Sequence, residues 1–127
     1  MADYNYMGIS PISFVAGGTI AKNTVVMLHS VVGQVVTATG ITSAVVGVAL
    51  NSAAANETVA VQIGGVGKVV AAGVVTYGDQ VMWATGSKMA TLSGATAKAF
   101  GLALGTSTAD GDVLPVLLLC PAIHINT

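Results

Sequence analysis

Arginine is absent from this 127-residue sequence, and charge of either sign is scarce. Charged residues make up 7% of the chain, against about 25% in an average soluble domain. The lysines stand alone at positions 22, 68, 88 and 98 and form no cluster of the kind that binds nucleic-acid phosphates. We therefore expect no nucleic-acid partner.

Long apolar runs and paired cysteines are also missing. The longest nearly unbroken apolar run, 113–123, contains Pro115 and Pro121 and is shorter than the roughly 20 residues that a transmembrane helix needs. The first ten residues lack the basic and apolar regions of a signal peptide. We expect synthesis in the cytoplasm and no membrane partner. Cys120 is the single cysteine, which excludes an intrachain disulfide and suits a small buried side chain.

Apolar residues are abundant: they make up 54% of the chain, and the mean hydropathy is +0.82. One domain of this length has too little interior to bury all of them. Some must lie on the surface, where large apolar patches mark interfaces. The composition therefore favours a component of a larger assembly.

Short β-branched segments separated by turn residues predict an all-β fold, a small barrel or sandwich of short, mostly antiparallel strands. Helix is weakly supported, since the alanine-rich segment Ser52–Asn56 is only about one turn long. The predicted turns are Gly17-Gly18, Gly64-Gly65, Gly78-Asp79, Gly86-Ser87 and Asp110-Gly111. The predicted strands are Thr24–Leu28, Gln34–Thr37, Ala44–Leu50, Thr58–Ile63, Lys68–Ala71, Gln80–Trp83, Lys88–Leu92, Ala99–Leu104 and Val113–Leu119.

The sequence contains an internal repeat. Residues 46–63 resemble residues 100–118, and an offset of 54 pairs Gly47 with Gly101. Upstream, residues 17–26 resemble 72–81 at an offset of 55. We interpret residues of about 17–63 and 72–118 as two copies of one β unit; the alternative is chance similarity in a sequence rich in Val, Ala and Gly. A glycine within a strand suggests a bulge or a close backbone approach.

The first 16 residues precede both copies and are rich in aromatic residues. Tyrosine suits an arm that docks on a neighbour, because its ring buries a large area while its hydroxyl keeps a hydrogen-bond partner; a frayed terminus is the alternative. We predict an extended N-terminal arm at 1–16 and a single β domain at 17–127. The only tryptophan, at position 83, is interpreted as a core or interface anchor rather than a ligand platform. The candidate interface residues are Tyr4, Tyr6, Phe14 and Trp83.

No motif supports catalysis or metal binding. His29-Ser30 is not part of a G-x-S-x-G nucleophile elbow. Asp110-Gly111-Asp112 is not followed by the further oxygen ligands of a calcium loop, and Asp-Gly is a strong hairpin signal. The glycine-rich stretch 64–68 lacks the hydroxyl residue that ends a P-loop. We expect a non-enzymatic protein without a cofactor or metal.

Four short motifs follow one another in the second half of the chain. They are a G-D-x-V-x-W turn and strand at 78–83, a G-x-A-L strand at 101–104, an acidic turn at 110–112 and an apolar closing strand at 113–119. In this order and spacing they resemble the tailed-phage capsid decoration, or cement, family. The resemblance covers most of the chain from about Gly17 onward.

This resemblance implies a β-rich structural protein on the outer surface of a phage head. Such proteins often form homotrimers, bridge neighbouring major capsid subunits and stabilise the expanded shell. The implied partners are the major capsid protein and further copies of the chain. We expect a chain without residues 1–16 to stay folded but to bind the capsid more weakly.

Three other hypotheses remain open at the level of sequence. The first is another phage structural module, such as a head-fibre base or a tail component. The second is a module that binds a small ligand or sugar. The third is a nuclease or recombinase accessory, which would require salt-sensitive DNA binding and for which the sequence offers neither a Walker motif nor a basic cluster.

Overall fold

The described part of the chain consists of β-strands and the loops that join them, as the β-branched segments predict. The computed structural model describes residues 11–39, 45–93 and 99–119. Among these residues there is no helix long and apolar enough to cross a bilayer. The strands are β1 (Ile12–Ala16), β2 (Val25–Leu28), β3 (Gln34–Thr37), β4 (Val45–Ala49), β5 (Thr58–Gln62), β6 (Gly64–Val70), β7 (Gln80–Ala84), β8 (Lys88–Thr91), β9 (Ala99–Ala103) and β10 (Val113–Leu119).

The strands form two similar units. In the first unit, β1 to β5, the strands close into a barrel in the order β1-β3-β2-β4-β5. The second unit, β6 to β10, is a five-stranded sheet in the order β6-β10-β9-β7-β8. If β6 is matched with β1, β7 with β2 and so on, each strand lies beside the counterparts of the same neighbours, apart from the missing ladder between β6 and β8. The prediction of two similar β units is therefore confirmed.

A β-bulge occurs at the same place in each unit. The register between β2 and β4 shifts after Val26, which faces Gly47, and the register between β7 and β9 shifts after Val81, which faces Gly101. Neither glycine has room for a Cβ atom, because a backbone carbonyl oxygen lies against each of them. The close backbone approach that the repeated glycine predicts is present in both copies.

The first and third strands of each unit approach each other in parallel, but only in the first unit do they form a ladder. There β1 pairs with β3, and the amide of Val15 donates to the carbonyl oxygen of Gly33 at 3.0 Å. In the second unit one isolated parallel bridge joins Ala71, the residue after β6, to Met89 of β8. The second unit is thus a sheet whose two edges are bridged at only one end of the seam between them.

Backbone atoms of the first unit bond to both edges of that seam. Val70 and Ser87 correspond to the closing pair of the first barrel, but they do not bond to each other. The amide of Val70 instead donates to the carbonyl oxygen of Asn23 at 3.0 Å, and the carbonyl oxygen of Ser87 accepts from the amide of Val25 at 2.9 Å. The segment 23–25 therefore lies between β6 and the β7–β8 hairpin and joins the two units.

The core is divided in the same way. A smaller cluster lies inside the first barrel, and a larger one fills the second unit and includes first-unit side chains from β2 and β4. Phe100 is the largest fully buried side chain. The shared cluster contains Val25, Ala38, Val45, Val48, Val69, Ala71, Val75, Val81, Met89, Phe100, Ala103, Leu114, Val116 and Leu118.

Three details differ from the sequence-based expectations. The last five residues of the predicted arm form β1, which pairs with β5 and β3 inside the barrel, so only residues outside the described range keep the prediction of an arm. The predicted turn Gly64-Gly65 lies within β6, where Gly65 has a left-handed φ of 70° and bends an extended chain. The weakly supported helix is a loop, in which Ala53 forms a bridge with Ile20.

Candidate functional site

The predicted interface residues are separated in the structure. Tyr4 and Tyr6 lie outside the described residues, as does most of the predicted arm. Phe14 is half-buried in β1 and packs against the core cluster of the first barrel. It therefore contributes to the stability of the first unit, and a role in binding a partner stays a prediction.

Trp83 lies at the contact between the two units. Its indole Nε1 donates to the carbonyl oxygen of Ala38 at 2.7 Å, and the hydroxyl of Ser87 donates to the same oxygen at 2.9 Å. The half-buried ring packs against the shared core cluster. Trp83 thus joins the second unit to the first within one chain, and its use in binding another chain remains a prediction.

The most exposed apolar side chain of the described residues is at the turn between β2 and β3. Val32 is 98% exposed, and Leu28 and Val31 are 59% and 50% exposed. We call these three side chains the apolar hairpin tip. These residues are not among the interface residues predicted from the sequence, although valines at a turn, where polar residues are usual, give a signal.

A second exposed apolar pair lies in the loop between β6 and β7. Val74 and Tyr77 are each 68% exposed, and we call them the loop patch. The amide of Tyr77 donates to the hydroxyl of Thr106 at 3.1 Å, so the backbone that carries the ring is fixed.

Comparison of the two copies shows that both surfaces are specific to one unit. The turn of the second unit that corresponds to the one carrying Val31 and Val32 is one residue shorter and consists of Thr85, Gly86 and Ser87. The residues that correspond to Val74 and Tyr77 in the first unit are Thr19 and Lys22. The repeated fold does not need an apolar side chain at these positions, because the other copy folds without one. Folding of the single chain therefore does not explain why these exposed side chains are apolar, and contact with another molecule does.

Two acidic side chains in the loops, Glu57 and Asp112, bind backbone amides. Glu57 accepts a hydrogen bond from the amide of Ala54 at 2.7 Å. Asp112, whose carbonyl oxygen accepts from Ala71 as that of Glu57 accepts from Ala16, accepts through its carboxylate from the amides of Thr108 and Ala109 at 3.1 and 3.3 Å. The predicted hairpin turn at 110–112 is therefore built around a carboxylate. Such bonds satisfy donors that the turn would otherwise leave exposed.

The remaining candidates for chemistry are dispersed. His29 lies in the β2–β3 hairpin, where its Nδ1 accepts from the amide of Val31 at 3.2 Å. Asp79 accepts from the amide of Thr76 and the hydroxyl of Thr91 at 3.1 and 2.9 Å. Among residues 11–39, 45–93 and 99–119, no three His, Cys, Asp or Glu side chains are grouped so that they could hold a metal ion.

Comparison with known proteins identifies the family. Residues 8–118 match the phage cement protein family. The chain belongs to this family. The match spans both units, and it makes this cement protein a structural protein of a phage head. The family that the sequence motifs resemble is thereby confirmed.

A solved structure has the same fold. The head fiber gp8.5 N base of bacteriophage phi29 superimposes with a TM-score of 0.70, and the match covers 91% of this chain and 98% of that chain at 10% sequence identity. At this identity the likeness concerns the fold alone. None of the curated proteins compared with the chain matches it.

Proposed function

We propose that this cement protein decorates the outer surface of a phage head, bridges neighbouring major capsid subunits and stabilises the expanded shell. The observation that carries the proposal is the family match over residues 8–118. In this proposal the protein acts as a homotrimer without catalytic activity. Its partners are the major capsid protein and further copies of itself, and it is a component of the virion.

The closure of the first unit supports contact through loops and hairpin tips. The first unit is a closed barrel, and a closed barrel offers a partner no strand edge to pair with. In the second unit the backbone of residues 23–25 bonds to Val70 and Ser87 at one end of the seam. The exposed apolar hairpin tip and loop patch offer the alternative for contact between copies of the chain, a hydrophobic contact of the kind that predominates in permanent complexes.

Binding to shells that lack the protein tests the proposal. We expect the full chain to co-sediment with expanded shells and to raise the temperature at which they break open, because a ligand that binds the intact shell stabilises it by mass action. Since few charges are available, binding should weaken less than about threefold between about 0.1 M and about 1 M salt, where the Debye length falls from about 10 to about 3 Å. Unexpanded shells serve as the control.

Two results would contradict the proposal. One is the absence of co-sedimentation with expanded shells. The other is equal binding to expanded and unexpanded shells without any change in the opening temperature, which would remove the stabilising role. A loss of binding at high salt would contradict only the apolar character of the contact.

A head-fibre base is the second candidate function, because the head fiber gp8.5 N base has the same fold. A fibre base would carry a further fibrous part or attach one, and fewer copies would be present per particle. Saturation of shells at a small fraction of the number of major capsid subunits would favour this candidate.

A further inference from the structure

Within one chain, the two units are joined by a hairpin of the second unit that docks on the first unit. The β7–β8 hairpin of the second unit donates two hydrogen bonds, from Trp83 and Ser87, to the carbonyl oxygen of Ala38 in the first unit. The carbonyl oxygen of Ser87 also accepts from the amide of Val25. A hairpin of one unit is thus seated beside the segment 23–25 of the other.

The docked β7–β8 hairpin and the segment 23–25 each have a counterpart in the other unit, and both of these counterparts are exposed. The counterpart of the docked hairpin is the β2–β3 hairpin, which ends in the apolar hairpin tip; Leu28 corresponds to Trp83, and both precede the turn. The counterpart of the segment 23–25 is 78–80, where Gly78 and Gln80 are exposed. It follows directly on the exposed ring of Tyr77.

We infer that a second copy of this chain completes the pattern: the apolar hairpin tip of one copy docks on the Tyr77–Gln80 segment and loop patch of the next. The contact is head-to-tail, since it joins two different surfaces, and head-to-tail contacts form rings when the rotation between copies closes. With three copies, first and second units would alternate around a ring of six. Only this number of copies rests on the proposed function.

The chemistry of the two surfaces fits this occupant. The turn that carries the hairpin tip, 28–33, contains no Lys, Asp or Glu. The facing segment contains one acid, Asp79, whose carboxylate is already bonded to Thr76 and Thr91. Two apolar surfaces without free like charges can come together at little electrostatic cost, and each would bury side chains that the fold of a single copy leaves in water.

Two single substitutions test the inference on the full chain. Val32→Asp places a carboxylate on the hairpin tip, and Tyr77→Asp places one on the loop patch; Thr19→Asp, at an exposed loop position of the first unit, is the control. Sedimentation and native mass spectrometry should find closed oligomers for the wild type and the control. Both test variants should be monomers with unchanged circular dichroism, and at least tenfold more protein should be needed for any self-association.

Mixing the two variants distinguishes this contact from a symmetric one. Each variant keeps one intact surface, so an equimolar mixture should form a one-to-one heterodimer that grows no further. A mixture that stays monomeric, a wild type that is monomeric, or variants that remain oligomeric would each overturn the inference. Shell binding is measured separately. A monomeric wild type that binds shells contradicts this inference and the homotrimer of the proposed function but leaves the decoration of the shell standing, whereas oligomers that fail to bind shells contradict the decoration and leave this inference standing.

Discussion

Substitution of Gly47 by alanine should lower the free energy of unfolding by about 3 kcal/mol, which is the upper end of the usual cost of overpacking. The added Cβ would overlap the carbonyl oxygen of Gln62 on the neighbouring strand and lie 2.6 Å from Val61 Cγ1. A backbone oxygen cannot rotate away as a flexible side chain can, so β4 and β5 must separate. We expect the melting temperature to fall by about 10 °C, measured by circular dichroism.

The second copy allows the same experiment to be repeated within one protein. At Gly101 the Cβ would lie 2.6 Å from the carbonyl oxygen of Leu117, and we expect a similar loss for Gly101→Ala. The matched controls are Gly18→Ala and Gly73→Ala, which correspond to each other in the repeat and have no atom within 4 Å of the added Cβ. These should change stability by less than about 0.5 kcal/mol. Equal effects at all four positions would contradict the account of the strand glycines.

Removal of residues 1–16 should abolish cooperative folding, whereas removal of residues 2–10 should leave the melting temperature nearly unchanged. The longer deletion takes away β1, whose pairings with β5 and β3 close the first barrel, and with it the fully buried side chain of Ala16. This prediction differs from the sequence-based expectation that a chain without residues 1–16 stays folded, because β1 is paired within the barrel. Circular dichroism and thermal melting of the two truncated chains provide the measurement.

The shorter deletion also tests the proposed arm. If the aromatic residues Tyr4 and Tyr6 contact a partner, the chain without residues 2–10 should bind expanded shells at least tenfold more weakly, a difference of about 1.4 kcal/mol. The double variant Tyr4→Ala/Tyr6→Ala is the control for chain length. Undiminished shell binding by the folded short deletion would show that the arm has no part in docking.

Much of the fold could be predicted from the sequence because the signals are local. β3 and β10 have the predicted bounds, and seven other predicted strands overlap observed ones. β1 could not be predicted as a strand from residues 12–16 alone, since Pro11 and the aromatic residues before it resemble an arm. Its place in the barrel follows from long-range pairing with β3 and β5, which no local pattern encodes.

The candidate surfaces were harder to predict than the fold. Aromatic content led to Trp83, yet its indole is bonded within the chain to Ala38. Val31 and Val32 lie between two predicted strands, but only the structure shows how far their side chains are exposed. The comparison that distinguishes them, with Thr85, Gly86 and Ser87 in the other copy, depends on knowing which turns of the two units correspond.

The copy number of the protein in purified particles tests the central proposal most directly. Quantitative mass spectrometry of virions gives its ratio to the major capsid protein. For a decoration protein that bridges capsid subunits, we expect a ratio on the order of one. A few copies per particle would contradict that role and favour a fibre base, and absence from the virion would contradict the virion assignment altogether.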